Sequence, residues 1–176
     1  MDTSNSDRPI VCIFGSYSPK PGEPLFELAY AIGQALAKAG FTVCNGGYDG
    51  TMLASAQGAK EAGRATIGVT CSIFGGYRGQ TLKANHFIDR EIHHDNVLAR
   101  IDAMIRMSRG YVVLEGGTGT LSEFGLLWEY VAKGLVEPGP SSLSVISGNR
   151  WLSGSFPSAP GTAGTFTALI PRNRSP

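Results

Sequence analysis

The segment GGTGTLSE, Gly116 to Glu123, places bare glycine backbone, two threonine hydroxyls and a carboxylate within eight residues. It follows the apolar run GYVVL, so it reads as a strand that passes through a glycine turn into the first turns of a helix. Free N–H groups at a helix start, helped by the helix dipole, bind a phosphate without any lysine. Glycine keeps a Cβ from holding the anion off the backbone. Gly116, Gly117, Thr118, Gly119 and Thr120 are therefore a candidate phosphate cradle, with the threonines able to donate to phosphate oxygens or to cap the helix. Glu123 sets a negative charge beside that anion site. On pattern alone, its place three residues after Thr120 completes a capping box.

Two further strand-to-glycine junctions recur upstream: Gly15-Ser16 after PIVCIF, and Gly46-Gly47 with Gly50 after FTVCN. Any one of them could be a simple turn. The elements between them make the group meaningful. PLFELAYAIGQALAKAG has Leu25, Leu28, Ala29, Ile32, Leu36 and Ala39 at helical spacing, with Pro24 in the first turn and Gly40 at the C-terminal end. TMLASAQGAKEAG reads as a small-residue helix, ATIGVTC as a third strand, GYVVL as a later strand and TLSEFGLLWEYVAKG as the helix after it. Between them, a short strand is expected around His86 to Ile88 and a helix over EIHHDNVLARIDAMIRMS. The β-α-β-α-β alternation predicts an α/β fold, a parallel sheet with helices on both faces. The carboxyl ends of parallel strands share one edge of the sheet, so the three glycine loops should converge there.

The 176 residues, 42% hydrophobic and 16% charged, suit a single domain. We expect a flexible N-terminus over 1–8, the α/β domain over 9–150, and a Ser/Pro/Gly-rich tail over 151–176 that is poorly ordered, with SLSVIS the one strand expected after Glu137. Fifteen basic against 14 acidic residues leave a charge of +1, which gives no field for a nucleic-acid polymer and favours a small ligand. The three cysteines, Cys12, Cys44 and Cys71, lie in predicted strands and suit buried thiols better than disulfides. His86, His93 and His94 have no metal-ligand spacing, so no metal is expected. With no apolar leader in MDTSNSDRP and no membrane-length run, the expectation is a cytoplasmic protein that does not engage a membrane. FGSYSPKPGE is not G-x-G-x-x-G and no G-K-[ST] follows a glycine loop, which disfavours hydride transfer and P-loop chemistry. No lysine lies in a motif that would suggest a Schiff base.

GGTGTLSE matches the G-G-x-G-T-x-x-E core of the LOG ("lonely guy") family of cytokinin nucleoside 5'-monophosphate phosphoribohydrolases, often mislabelled lysine decarboxylases. NVLAR, ending at Arg100, resembles the family's arginine segment, and VCIFGSYS and NGGYDGTM resemble its first two strand–loop units, so the likeness runs from about Pro9 to Gly134. Glu115 stands where the family usually has proline and Ile101 where it favours lysine. The resemblance implies a Rossmann-like, doubly wound, three-layer α/β/α domain that packs as a homodimer. It implies that a nucleoside monophosphate is the ligand, that the N-glycosidic bond is hydrolysed, and that no cofactor is used. Glu123 and Arg100 would be the catalytic residues, with Gly15, Ser16, Gly46 and Gly47 joining the third loop in holding the nucleotide. Relatives with the same glycine core include nucleotide-binding proteins and carriers of the molybdenum cofactor, so a carrier is the alternative. Tyr48 and Asp49 sit in the middle loop, and Met52, Trp128 and Tyr17 offer surfaces that could stack on a base or pack in the core.

Overall fold

The computed structural model describes residues 8–73 and 82–136 and, beyond them, the backbone of three strands. The elements are β1 (Ile10–Phe14), α1 (Pro24–Lys38), β2 (Thr42–Asn45), α2 (Thr51–Glu61), β3 (Thr66–Cys71), β4 (Arg90–His94), α3 (Val97–Met107), β5 (Gly110–Val113), α4 (Thr118–Ala132), β6 (Leu143–Ile146), β7 (Trp151–Ser155) and β8 (Thr165–Leu169). The strands form one sheet in the order β4-β3-β2-β1-β5-β6-β8-β7, and only β7 and β8 pair antiparallel. Successive strands run outward from β1 in one direction and then, from β5, in the other. The fold is thus doubly wound, and its switch point lies between β1 and β5.

Alternation along the strands divides the core in two. Val11 and Ile13 of β1, Val43 of β2 and Val112 of β5 pack with Phe26, Ala29 and Ala37 of α1 and with Ala54 and Ala59 of α2. Their neighbours Cys12, Phe14, Cys44, Val69, Tyr111 and Val113 pack on the opposite face with Ile101, Met104 and Ile105 of α3 and Leu127 of α4. Buried parallel strands covered on both faces have little room for polar side chains, which is why they read as continuous apolar runs. The cysteines are free and buried, as expected.

Two expectations need correction. His86 to Ile88 form a turn, and the strand comes later, at Arg90–His94. The stretch expected as helix from Glu91 is therefore strand up to His94, and the helix starts at Val97. Asn96 caps it, its side chain accepting from the Ala99 N–H at 2.8 Å. REIHH concealed the strand because β4 lies at the edge of the sheet, where an exposed polar sequence is usual, and the apolar spacing that suggested a helix spans two elements. The strand expected in SLSVIS is present at Leu143–Ile146. Most of the tail lies outside the described residues, but within it the backbone of Trp151–Ser155 and Thr165–Leu169 runs as strand.

Helices α1 and α2 lie unusually close because glycine occupies their contact. A Cβ on Gly33 would stand 2.1 Å from the Ser55 carbonyl oxygen, and one on Gly58 would stand 2.2 Å from that of Tyr30. Backbone cannot yield as a side-chain tip can. Gly33→Ala and Gly58→Ala should each destabilise the fold by roughly 1–3 kcal/mol through overpacking, against the usual helical preference for alanine. Urea unfolding measures this, and a more stable variant would show that the helices part without cost.

Candidate functional site

The three glycine loops do meet at the carboxyl edge of the sheet, but they serve different purposes. In the first, the Ser16 N–H donates to the Glu115 carbonyl at 3.2 Å, which joins it to the third loop across the switch point. The Ser16 carbonyl accepts from the Thr51 N–H at 2.8 Å and from the Thr51 hydroxyl at 3.0 Å. That carbonyl therefore closes the N-terminus of α2. Gly15 permits the contact, since a Cβ there would meet Thr51 Oγ1 at 2.5 Å.

The middle loop is fastened from within. Asn45, fully buried at the end of β2, accepts from the Gly47 N–H at 2.8 Å and donates to the Met52 carbonyl and the Ser55 hydroxyl. Gly47, with φ of 80°, offers its carbonyl to Asn85, and the Tyr48 hydroxyl bonds the backbone of Cys71. The Gly47 N–H, expected to meet phosphate, is thus taken by Asn45. Gly46 provides space instead, because a Cβ would lie 2.1 Å from Arg100 Nη2 and 2.6 Å from Met52 Sδ. The sequence reading missed Asn45, although an asparagine closing an apolar strand just before two glycines is the signal that could have found it.

The third loop is open. Gly117 is the N-terminal boundary residue of α4, no side chain caps the helix, and the Leu121 N–H to Gly117 carbonyl bond is its first. The N–H groups of Thr118, Gly119 and Thr120 belong to the turn that makes no intrahelical bond. Gly116 is needed for packing, since a Cβ would collide with Thr120 Oγ1 at 2.1 Å, but Gly117 and Gly119 would meet nothing within 4 Å. Residues 115 to 119 are exposed.

Glu123 lies five residues past Thr118, about 7.5 Å further along the helix axis. It is too deep in α4 to form the capping box its spacing suggested. It turns inward instead, 7% exposed, and accepts from Arg100 Nη1 at 3.2 Å. Arg100, in the first turn of α3 and 4% exposed, also donates from Nε to the Val69 carbonyl at 2.6 Å and from Nη2 to the Gly46 carbonyl at 3.3 Å. The Tyr48 ring lies 5.8 Å from its guanidinium carbon. Expected among the catalytic residues, Arg100 makes these bonds to the protein's own groups and holds β3 and the exit of β2 against the Glu123 carboxylate. Among the described residues no second hydrogen bond to the Glu123 carboxylate accompanies that from Arg100.

Burial pushes the Glu123 carboxyl up to about 7, with the Arg100 charge and hydrogen bond pulling the other way. The folded protein thus holds this proton more tightly than the unfolded chain does. Its contribution to stability is complete below the ordinary value of 4.5 and is lost as pH rises through about 7. The difference corresponds to about 3 kcal/mol. Glu123→Gln should remove that part of the pH dependence, so its unfolding free energy should gain on the wild type by up to this amount between pH 4.5 and 8. Parallel denaturation profiles would contradict the assignment. Among the described residues no His, Cys, Asp and Glu group could hold a metal ion, and no helix is long and apolar enough to cross a membrane.

Known proteins resemble the chain in both sequence and fold. It is 36% identical over 119 residues to a cytokinin riboside 5'-monophosphate phosphoribohydrolase of Mycobacterium tuberculosis, covering 67% of this chain and 61% of that protein. An uncharacterized protein of Archaeoglobus fulgidus is 33% identical over 104 residues, 59% of this chain and 64% of the relative. The chain thus spans a little over three fifths of the length of these two relatives. In structure it resembles the molybdenum cofactor binding protein of Rippkaea orientalis, with a TM-score of 0.59 and 25% identity over 80% of this chain and 77% of that one. The model of the SLOG cluster4 family matches residues 8–136, and with the Rossmann-like sheet and the GGTGTLSE helix start in place, the chain belongs to that LOG-type family.

Proposed function

We propose that the protein hydrolyses the N-glycosidic bond of a purine nucleoside 5'-monophosphate, N6-substituted bases included, to free base and ribose 5-phosphate. The observation that carries this reading is that a single helix, α4, presents an open glycine-rich N-terminus and, further along, a buried carboxylate held by Arg100. The N–H groups of Thr118, Gly119 and Thr120 would receive the 5'-phosphate, and the dipole of α4 favours its charge. The sugar then extends toward Glu123. As the bond to the base breaks, positive charge develops at C1', where a carboxylate stabilises it and orients or deprotonates the attacking water. Phosphate and carboxylate thus address opposite ends of one ribose. Arg100 keeps Glu123 in place and acts as a positioning residue. The name of the mycobacterial relative supports this chemistry.

A carboxyl titrating near 7 must be ionised to act in this way, so kcat/KM should rise with pH through that value. With AMP or N6-isopentenyl-AMP as substrate, mass spectrometry should detect free base and ribose 5-phosphate. Glu123→Gln should lower kcat by roughly a hundredfold or more. Gly119→Val, whose Cβ would meet no described atom within 4 Å, should weaken nucleotide binding without lowering Tm. Absence of base release alongside saturable nucleotide binding would favour a binding or carrier role without turnover, in line with the cofactor binding named for the Rippkaea orientalis protein. Absence of both would reject the site.

The homodimer is also a proposal. Leu98 of α3 and Leu121 and Trp128 of α4 are 71%, 68% and 42% exposed on helices that share one face of the sheet, an apolar surface suited to a second copy. Light scattering at micromolar concentration should give twice the chain mass, and a monomeric mass would count against it.

A further inference from the structure

A second group of chemistry-bearing side chains lies beside the nucleotide site, on one face of the β3–β4 pair. In the parallel register Thr70 stands opposite His93, strand alternation puts Glu91 on the same face, and Ser72 and Asp95 follow directly after the two strands. The Thr70 hydroxyl is 2.6 Å from Glu91 Oε1 and 2.9 Å from His93 Nδ1, and the Ser72 hydroxyl is 2.8 Å from His93 Nε2. Asp95 Oδ1 is a longer alternative acceptor for Ser72, at 3.4 Å.

Counting protons gives this chain a direction. Thr70 has one hydroxyl proton, and the short contact to a carboxylate oxygen, which can only accept, assigns it to Glu91. Thr70 must then accept from His93, so Nδ1 carries the imidazole proton. In the neutral imidazole Nε2 is then the acceptor, and Ser72 is the donor that meets it. The order is Ser72 to His93 to Thr70 to Glu91. A hydroxyl bonded to the basic nitrogen of an imidazole, whose other nitrogen is fixed by a polarised acceptor, is the arrangement that activates a serine. Thr70 is fully buried, which anchors the middle of the relay, whereas Ser72 and His93 are exposed where a reactant can approach. Metal binding is the other use of such a cluster, and among the described residues no group has the geometry for it.

We propose that Ser72 is an activated nucleophile with His93 as its base, and that it takes an acyl group from activated carboxylic esters at a site separate from the Glu123 centre. Ser72 Oγ bonds to the acyl carbon while its proton passes to His93 Nε2. The adduct collapses with cleavage of the ester C–O bond, and the departing alkoxide takes that proton. Water, deprotonated by the same nitrogen, then releases the carboxylic acid and restores the serine.

The test treats the full chain with p-nitrophenyl acetate and follows both p-nitrophenolate release and acetylation by peptide mass mapping. The expected result is an acetyl group on Ser72, absent in Ser72→Ala, with the rate of its formation reduced roughly a hundredfold in His93→Gln. His93 lies exposed on an edge strand, so this variant should keep the wild-type Tm. Thr70→Val, which keeps the side-chain shape and removes the link to Glu91, should slow acetylation to a lesser degree. Acetylation spread over lysines and other serines with none favouring Ser72, or acetylation of Ser72 at the wild-type rate in His93→Gln, would overturn the proposal.

Discussion

The site depends on the buried contact between Arg100 and Glu123. Taking either charge out of water alone would be prohibitive, and the pair is tolerable only because the guanidinium also meets the carbonyls of Val69 and Gly46. Those carbonyls lie within β3 and just after β2, Arg100 comes from α3, and Glu123 comes from α4. A single side chain thus ties two strands and two helices together toward the edge where parallel strands leave their ligand crevice. The carboxylate is less well satisfied than its partner, and this imbalance gives it chemistry. Desolvation outweighs the single Arg100 contact and raises its proton affinity toward neutrality, where a carboxyl can exchange protons with a reacting group.

Glycine makes that contact possible and also leaves room for a ligand, at different positions. Gly46 admits the guanidinium, Gly15 admits the first turn of α2, and Gly116 admits Thr120. Among the described residues, Gly117 and Gly119 admit nothing from the protein. Of three loops that look alike in sequence, two are knitted together by Ser16, Thr51 and Asn45, and the third is left with its helix N-terminus open. The knitted loops make the scaffold rigid enough to hold the open one in place.

The layout of this domain was largely legible because its strands are buried on both faces. IVCIF, TVC and YVVL are apolar apart from Thr42 and reach glycine within two residues, and the helices between them carry ordinary start and stop signals. The family core GGTGTLSE was legible for the same reason, as a local pattern at a strand–helix junction. Legibility failed where long-range contacts decide the outcome. REIHH is a strand because β3 pairs with it, not because of its composition. Glu123 looked like a cap because spacing cannot show that the helix starts at Thr118 and that an arginine 23 positions upstream waits on its inner side. Arg100 was legible as a site residue, but the sequence could not reveal that the Val69 and Gly46 carbonyls take two of its other donors.

The titration of the Glu123 carboxyl carbon, observed by NMR in protein with 13C-labelled glutamate, tests the central claim most directly. If burial outweighs the Arg100 contact as described, its midpoint should lie near 7. A midpoint at or below the ordinary 4.5 would contradict this and remove the basis for Glu123 exchanging protons near neutrality.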